Sequence, residues 1–256
     1  MTAVRSGRLA VWHDKFIVEE RYLPRETRRR LYVTAVSMMV VGAVAFTVIL
    51  VGVVTQTGFH DLDAPVEAFF NRQVSDTTTA VMIVLAVVFG PVALPIIILI
   101  VLVCWIIAAH HLWRPLLLAC GMVTGVISAQ VIAPLVEHPR PPVGQMLFGP
   151  DHTFSFPSGH VLGASDFLLI TAYLLASRIQ RTWFTVAAFS FAVVAIAAQI
   201  VSRLYLGYHW ISDTSASIAL SLIIVGAVIA VDVHRTVRVP GEPVTGPNSQ
   251  LQRDGT

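Results

Sequence analysis

Apolar residues in this chain run together in long blocks instead of alternating with polar ones. Residues 31–54, 77–109 and 115–136 contain no Asp, Glu, Lys or Arg. Each block exceeds the roughly 20 residues a helix needs to cross a bilayer. The short alternating segments of a membrane barrel do not occur. The pattern predicts an all-α polytopic membrane protein, with six transmembrane helices in one bundle. Spans are expected at 31–54, within 77–109, and at 115–136, 158–177, 182–201 and 209–231. The 77–109 block is too long for one straight span, and Gly90-Pro91 and Pro95 mark kinks in it. It reads as a tilted first half followed by a span near 90–109, with two separate spans as the alternative.

The flanks are different in kind. Residues 1–30 are polar and basic, and Leu9, Trp12, Phe16 and Leu23 share roughly one helical face. An interfacial helix or a basic arm fits this segment. It lacks the features of a cleavable signal, and the apolar run after it is too long for one, so 31–54 reads as an uncleaved anchor. The stretch from Pro240 is rich in Gly, Pro and polar residues and is expected to be disordered. The organisation is thus a 1–30 tail, a 31–233 membrane domain and a 234–256 disordered tail. No internal repeat is present in the sequence.

Composition agrees with the pattern. The chain of 256 residues is 55% hydrophobic and 12% charged, against about 25% charged in a soluble domain. Cys104 and Cys120 both lie in apolar blocks and read as small buried hydrophobes, not as a disulfide or metal pair. Sixteen arginines stand against one lysine, Lys15. With abundant Ala and Val, this bias suggests a GC-rich bacterial genome. Six spans put 14 of the 17 cationic residues on one side, leaving Arg72, Arg140 and Arg203 on the other. The positive-inside rule then predicts cytoplasmic termini and an opposite, extracytoplasmic face. No nucleic-acid partner is expected.

Three short polar motifs interrupt the apolar blocks, all at span ends on the predicted outer side. In Pro157-Ser158-Gly159-His160, Ser158 reads as the N-cap of a helix. A helix N-terminus presents unpaired N–H groups that suit a phosphate, and Gly159 lets a ligand approach the backbone. In Ser202-Arg203 through His209 and Asp213, the last two lie four apart and share a face if helical. A carboxylate accepting the His Nδ1–H would leave Nε2 as a directed nucleophile. Arg203 offers a planar donor fork for phosphate oxygens. Arg140-Pro141, in a proline-rich loop, projects a second guanidinium from extended backbone. Taken singly, each motif also fits an ordinary capped helix or a solvated loop.

Together the order and spacing resemble the type 2 phosphatidic acid phosphatase superfamily. That signature is Lys, six residues, Arg-Pro; then Pro-Ser-Gly-His; then Ser-Arg, five residues, His, three residues, Asp. Here 15 residues separate the first two motifs and 41 separate His160 from Ser202, and the third motif matches at every signature position. The resemblance covers about 133–213. It implies a lipid phosphatase with no metal and no cofactor, whose partners are the bilayer and a membrane lipid phosphate. It implies that His209 attacks phosphorus, Asp213 orients it, and His160 protonates the leaving oxygen. Arg140, Ser158, Gly159 and Arg203 would hold the phosphoryl oxygens. Polyprenyl diphosphate is the first expected substrate, then phosphatidic acid or phosphatidylglycerol phosphate. One position departs from the signature: Ala133 stands where the family has lysine. His138 and His152 are candidate replacements for that cation, and Glu137 is an unhelpful charge beside them. Asp166 is an ionisable residue within a span and hence a functional candidate. The alternative to an enzyme is a phospholipid-binding relative weakened at Ala133.

Overall fold

The computed structural model describes residues 15–245 and 248–252. Eight helices and a small sheet follow one another as β1 (Val18–Tyr22), α1 (Arg25–Thr55), α2 (Asp63–Asn71), α3 (Asp76–Val88), α4 (Ala93–Ala108), α5 (Trp113–Val136), α6 (Gly159–Ile179), α7 (Thr182–Tyr205), α8 (Ile211–Thr236), β2 (Val237–Arg238) and β3 (Ser249–Leu251). Five of the helices, α1, α5, α6, α7 and α8, are each long and apolar enough to cross a membrane. The α3–α4 pair passes the same test only together, with a 49° bend between its halves. At 1.5 Å per residue neither half reaches the roughly 30 Å of a bilayer core. The break at 89–92 falls on the Gly90-Pro91 kink that the sequence offers, and with this bent pair counted as one span the described bundle has six.

The bundle is apolar outside as well as inside. Val33, Val36, Val40, Val44, Val48 and Val51 of α1 are all exposed, as are Val186, Val193 and Val194 of α7. An outward valine face suits lipid and not water. Cys104 and Cys120 belong to this face: both are exposed, contrary to the expectation that they are buried. The reason is that apolar periodicity disappears when core and lipid are equally apolar, so the facing of a cysteine within such a run is not encoded in its neighbours.

Helix α8 is the central element, with buried residues along its whole length. It lies against α1 through small residues. A Cβ placed on Gly42 would fall 2.5 Å from the Ala219 carbonyl oxygen, and one on Gly226 would fall 2.7 Å from that of Ala35. Small residues permit this backbone approach, which replaces the hydrophobic driving force that lipid removes. At the end away from the motifs, buried Asp232 accepts from Trp113 Nε1 at 2.9 Å and from Tyr173 Oη at 2.8 Å. One carboxylate thereby joins α5, α6 and α8.

Both flanks differ from expectation. The first span begins at Arg25, six residues earlier than the apolar run. The tail after α8 forms strands: β1 pairs in parallel with both β2 and β3, in the order β2-β1-β3. Fully buried Glu20 sits at the centre of this sheet, with Arg235 Nη1 at 3.0 Å, Arg238 Nε at 2.8 Å and Thr245 Oγ1 at 2.8 Å. Pairing partners more than 200 residues apart fold a tail whose local composition reads as disordered. The face proposed from Leu9 and Trp12 lies outside the described residues, as do 253–256.

The close α1–α8 crossing makes a direct prediction. Gly226→Val has to separate the two helices, an overpacking cost of about 1–3 kcal/mol. Thermal unfolding of the purified protein in detergent should show a melting temperature lower by several degrees, whereas Val44→Leu on the exposed face should leave it unchanged.

Candidate active site

All three motifs meet at one end of the bundle, where α5, α7 and the α3 N-terminus finish or begin. Ser158 caps α6, its Oγ accepting the Val161 N–H at 3.5 Å. Ser217 of α8 donates to the Ser158 carbonyl at 3.0 Å and to the Asp213 carbonyl at 2.8 Å, which ties the second motif to the third. Nothing lies within 4 Å of a Cβ built on Gly159, so the first turn of α6 opens onto free space. His160 follows in that turn. It is close enough to Arg203, His209 and Arg140 to feel their charge. The break in the α3–α4 span faces it, since a Cβ on Gly90 would lie 3.6 Å from His160 Nε2.

His209 and Asp213 pair, but not as two residues of one helix face. Asp213 is in the first turn of α8, whereas His209 lies just before the helix, with Trp210 as its N-cap. Asp213 Oδ2 accepts the Trp210 backbone N–H at 2.9 Å and lies 3.3 Å from His209 Nδ1. A carboxylate only accepts, so His209 carries its proton on Nδ1 and presents the Nε2 lone pair. Arg140 Nη1 reaches that Nε2 at 3.2 Å and donates to the Tyr208 carbonyl at 2.7 Å. Burial pushes the His209 imidazole down to about 4, against the opposing hydrogen bond to Asp213, and the Arg140 charge adds to the shift.

Around this pair stand two guanidiniums. Arg203, in the last turn of α7, is buried, stacks 4.5 Å from the Tyr208 ring centroid, and has an Nε without a hydrogen-bond partner. Helix α7 runs past the expected end at 201 to Tyr205, so Ser202 and Arg203 belong to its last turn. Arg140 is held by Thr153, through its carbonyl at 3.1 Å and its Oγ1 at 2.9 Å, and by Asp151 Oδ2 at 3.1 Å. Burial by itself would raise the Asp151 carboxyl. Hydrogen bonds from Thr153 and the Arg140 charge hold it below the usual carboxylate range.

The auxiliary candidates divide. His138 is buried and does not join the guanidiniums through Nδ1: that atom lies 2.9 Å from Asp213 Oδ1, the carboxylate oxygen opposite the one facing His209. His152 is exposed. Glu137 caps α5 in the left-handed conformation and is exposed, one turn after Ala133. Asp166 is fully buried; Oδ1 accepts from Ser221 Oγ at 2.6 Å and Oδ2 has no partner. It lines a cavity of about 310 Å³ that also touches Gly159, His160 and Leu94. Sequence reasoning missed Asp151, Thr153 and Ser155. The first two form a local turn in which Asp151 Oδ1 accepts the Thr153 N–H at 2.9 Å, a pattern readable from Asp-x-Thr. Ser155 Oγ, 3.2 Å from Asp213 Oδ1, has no such signal.

Known proteins resemble this chain over the motif-bearing stretch. Residues 114–236, which contain all three motifs, match the PAP2 superfamily. Phosphatidylglycerophosphatase B of Bacillus subtilis (strain 168) is 28% identical over 118 residues, 44% of this chain. The match spans 55% of that relative's length. The crystal structure of a transmembrane PAP2 type phosphatidylglycerolphosphate phosphatase from Bacillus subtilis superimposes with a TM-score of 0.67 at 21% identity, over 78% of this chain and 96% of that one. At such identity the likeness speaks for the fold. Every motif lies inside the matched stretch, so residues 114–236 resemble the PAP2 superfamily, and the bundle shares the fold of that transmembrane structure.

Proposed function

We propose that this protein is a membrane lipid phosphatase that works through a phosphohistidine on His209. The observation that carries the reading is the His209 ring, with Nδ1 turned to Asp213 and Nε2 turned to Arg140. In this reading a lipid phosphate displaces Asp151 from Arg140, since both are anions competing for one guanidinium. Arg140, Arg203, Ser158 and the Gly159 N–H then bind the non-bridging oxygens. His209 Nε2 attacks phosphorus as the ester P–O bond breaks, and His160 gives its proton to the leaving oxygen. Water next attacks phosphorus, the P–N bond breaks, and His160 takes the proton back.

The substrate class follows from the surroundings. A site at a helix end, beside a cavity that runs between α4 and α6, suits a headgroup phosphate with an apolar chain. Asp166 Oδ2 would accept from a hydroxyl of that headgroup. The likeness to phosphatidylglycerophosphatase B moves phosphatidylglycerol phosphate ahead of the polyprenyl diphosphate and phosphatidic acid suggested by the motifs alone. The arginine distribution favours cytoplasmic termini and a site on the extracytoplasmic side. Ala133 favours a second reading, a phospholipid-binding relative that turns over poorly.

Three outcomes test this. Purified protein in detergent should release phosphate from at least one of the three lipids, and His209→Ala should reduce the rate by ~10³-fold or more; equal rates in the two proteins would remove His209 from the chemistry. The pH profile is the second. A histidine nucleophile must be neutral, and it is neutral above its pKa. With His209 lowered to about 4, the acid limb should lie well below the 6.5 of an ordinary histidine, and a limb at 6.5 in kcat/KM would contradict the buried ring. Third, Ala133→Lys should raise kcat/KM if the missing cation limits the reaction; an unchanged or lower value would show that the two arginines suffice.

A further inference from the structure

Beside the phosphate-facing groups lies a cluster that the proposed chemistry does not use. His60 comes from the 3-10 turn at Gly58–Leu62, Asp63 is the first residue of α2, and His138 follows α5. Their ligand-capable atoms all lie within 4.8 Å of one another. His60 Nδ1 is 2.9 Å from Asp63 Oδ2, yet it makes no hydrogen bond. The contact has the length of a hydrogen bond without its alignment.

The bonds around the cluster are of a kind that orients metal ligands. His138 Nδ1 is engaged with Asp213 Oδ1 at 2.9 Å, so its proton sits there and Nε2 keeps its lone pair. Ligating histidines characteristically donate their other N–H to a carboxylate in this way. Asp63 is fixed by the same logic: Oδ1 accepts the Ser212 N–H at 2.9 Å and Oδ2 accepts Ser212 Oγ at 2.8 Å. Asp63 and His138 are buried, while the His60 side chain keeps 26% of its surface exposed and gives an entry path.

We propose that His60, Asp63 and His138 form a binding site for a divalent cation of the zinc class, and that its occupancy slows turnover. The second clause rests on the phosphatase reading above. Two imidazoles and one carboxylate suit zinc and its transition-metal neighbours, whereas magnesium and calcium take oxygen ligands. Bonds of about 2.0–2.1 Å in a tetrahedron set ligand atoms about 3.3 Å apart. The widest separation here therefore closes by no more than about 1.5 Å, within reach of side-chain rotation. A fourth position stays open to water. The cation would draw electron density from the His138 ring, strengthen its Nδ1–H bond to Asp213, and so weaken the hold of that carboxylate on His209. The family resemblance implies no metal; the fold brings positions 60, 63 and 138 together from separate elements.

The test uses the full chain in detergent, stripped with EDTA and then desalted. Zn²⁺ titration calorimetry and metal analysis should give one bound ion per chain, and Mg²⁺ should give none. Phosphate release at saturating lipid should fall several-fold in buffered Zn²⁺, through kcat and not KM, and EDTA should restore it. His60→Asn, a change at a partly exposed turn, should weaken zinc binding by about tenfold or more and abolish the inhibition, with metal-free turnover close to that of the parent. Absence of stoichiometric binding, or binding that His60→Asn and Asp63→Asn both leave intact, overturns the site. Binding without any change in kcat overturns the inhibitory role alone. A stripped protein that binds zinc but releases no phosphate from any lipid supports the site and counts against the phosphatase reading instead.

Discussion

A single buried carboxylate, Asp213, holds this end of the molecule together. Its Oδ2 takes the Trp210 backbone N–H and faces His209; its Oδ1 faces His138 and Ser155. It therefore begins α8, fixes the tautomer of one histidine and anchors another, all from a site with no water contact. A buried carboxylate without such partners would cost several kcal/mol. The hydrogen bonds that offset this cost are the ones that give His209 its direction. Folding and the proposed chemistry thus draw on the same four contacts.

The rest of the bundle is arranged to keep that carboxylate in place. Helix α8 carries Asp213 at one end and Asp232 at the other, and each joins elements that the bilayer would otherwise leave weakly associated. Between them the helix is clamped by glycine and alanine contacts to α1, where backbones approach closely. Asp63, packed under Ser212, fixes the first turn of α8 from a further side. A shift of this helix along its axis would move His209 relative to Arg140, which is anchored separately through Thr153. Burial of α8 along its length is thus a condition of the site's geometry.

How much of this was legible depended on the range of the interaction. Span positions follow from local composition, and five of the six were readable to within about six residues at either end, with the Gly90-Pro91 break foreseen as a kink. The broken span itself has a purpose only in three dimensions, because it brings Gly90 beside His160. Ser158 as a helix cap was readable for the same local reason. Their geometry was less so: the four-residue interval from His209 to Asp213 suggested a shared helix face, while the real link is a carboxylate reaching back from the first turn to a residue before the helix. What could not be read were long-range pairings: His138 with Asp213, Glu20 with Arg238, Asp63 with Ser212. None of these has a periodic or spacing signature. The same blindness misjudged the tail after α8, which is Gly- and Pro-rich yet completes a sheet on β1.

The electrostatics of the site argue that Ala133 and Asp151 belong together. Two guanidiniums approach one histidine in a cleft where screening by water is poor, and like charges in such surroundings repel strongly. Arg203 relieves this by stacking on Tyr208, and Arg140 by pairing with Asp151. A lysine at position 133 would add a third positive charge at the end of α5, with Glu137 the nearest carboxylate in sequence and that one exposed. A cradle of two arginines with one internal anion is half-compensated before any ligand arrives, and in the proposed chemistry the arriving phosphate takes over the role of Asp151. Binding then exchanges one anion for another, so the free-energy gain of capturing the substrate is the difference between a dianionic phosphate on two arginines and a carboxylate on one. That difference, and not the absolute number of cations, sets how strongly the site discriminates for phosphate.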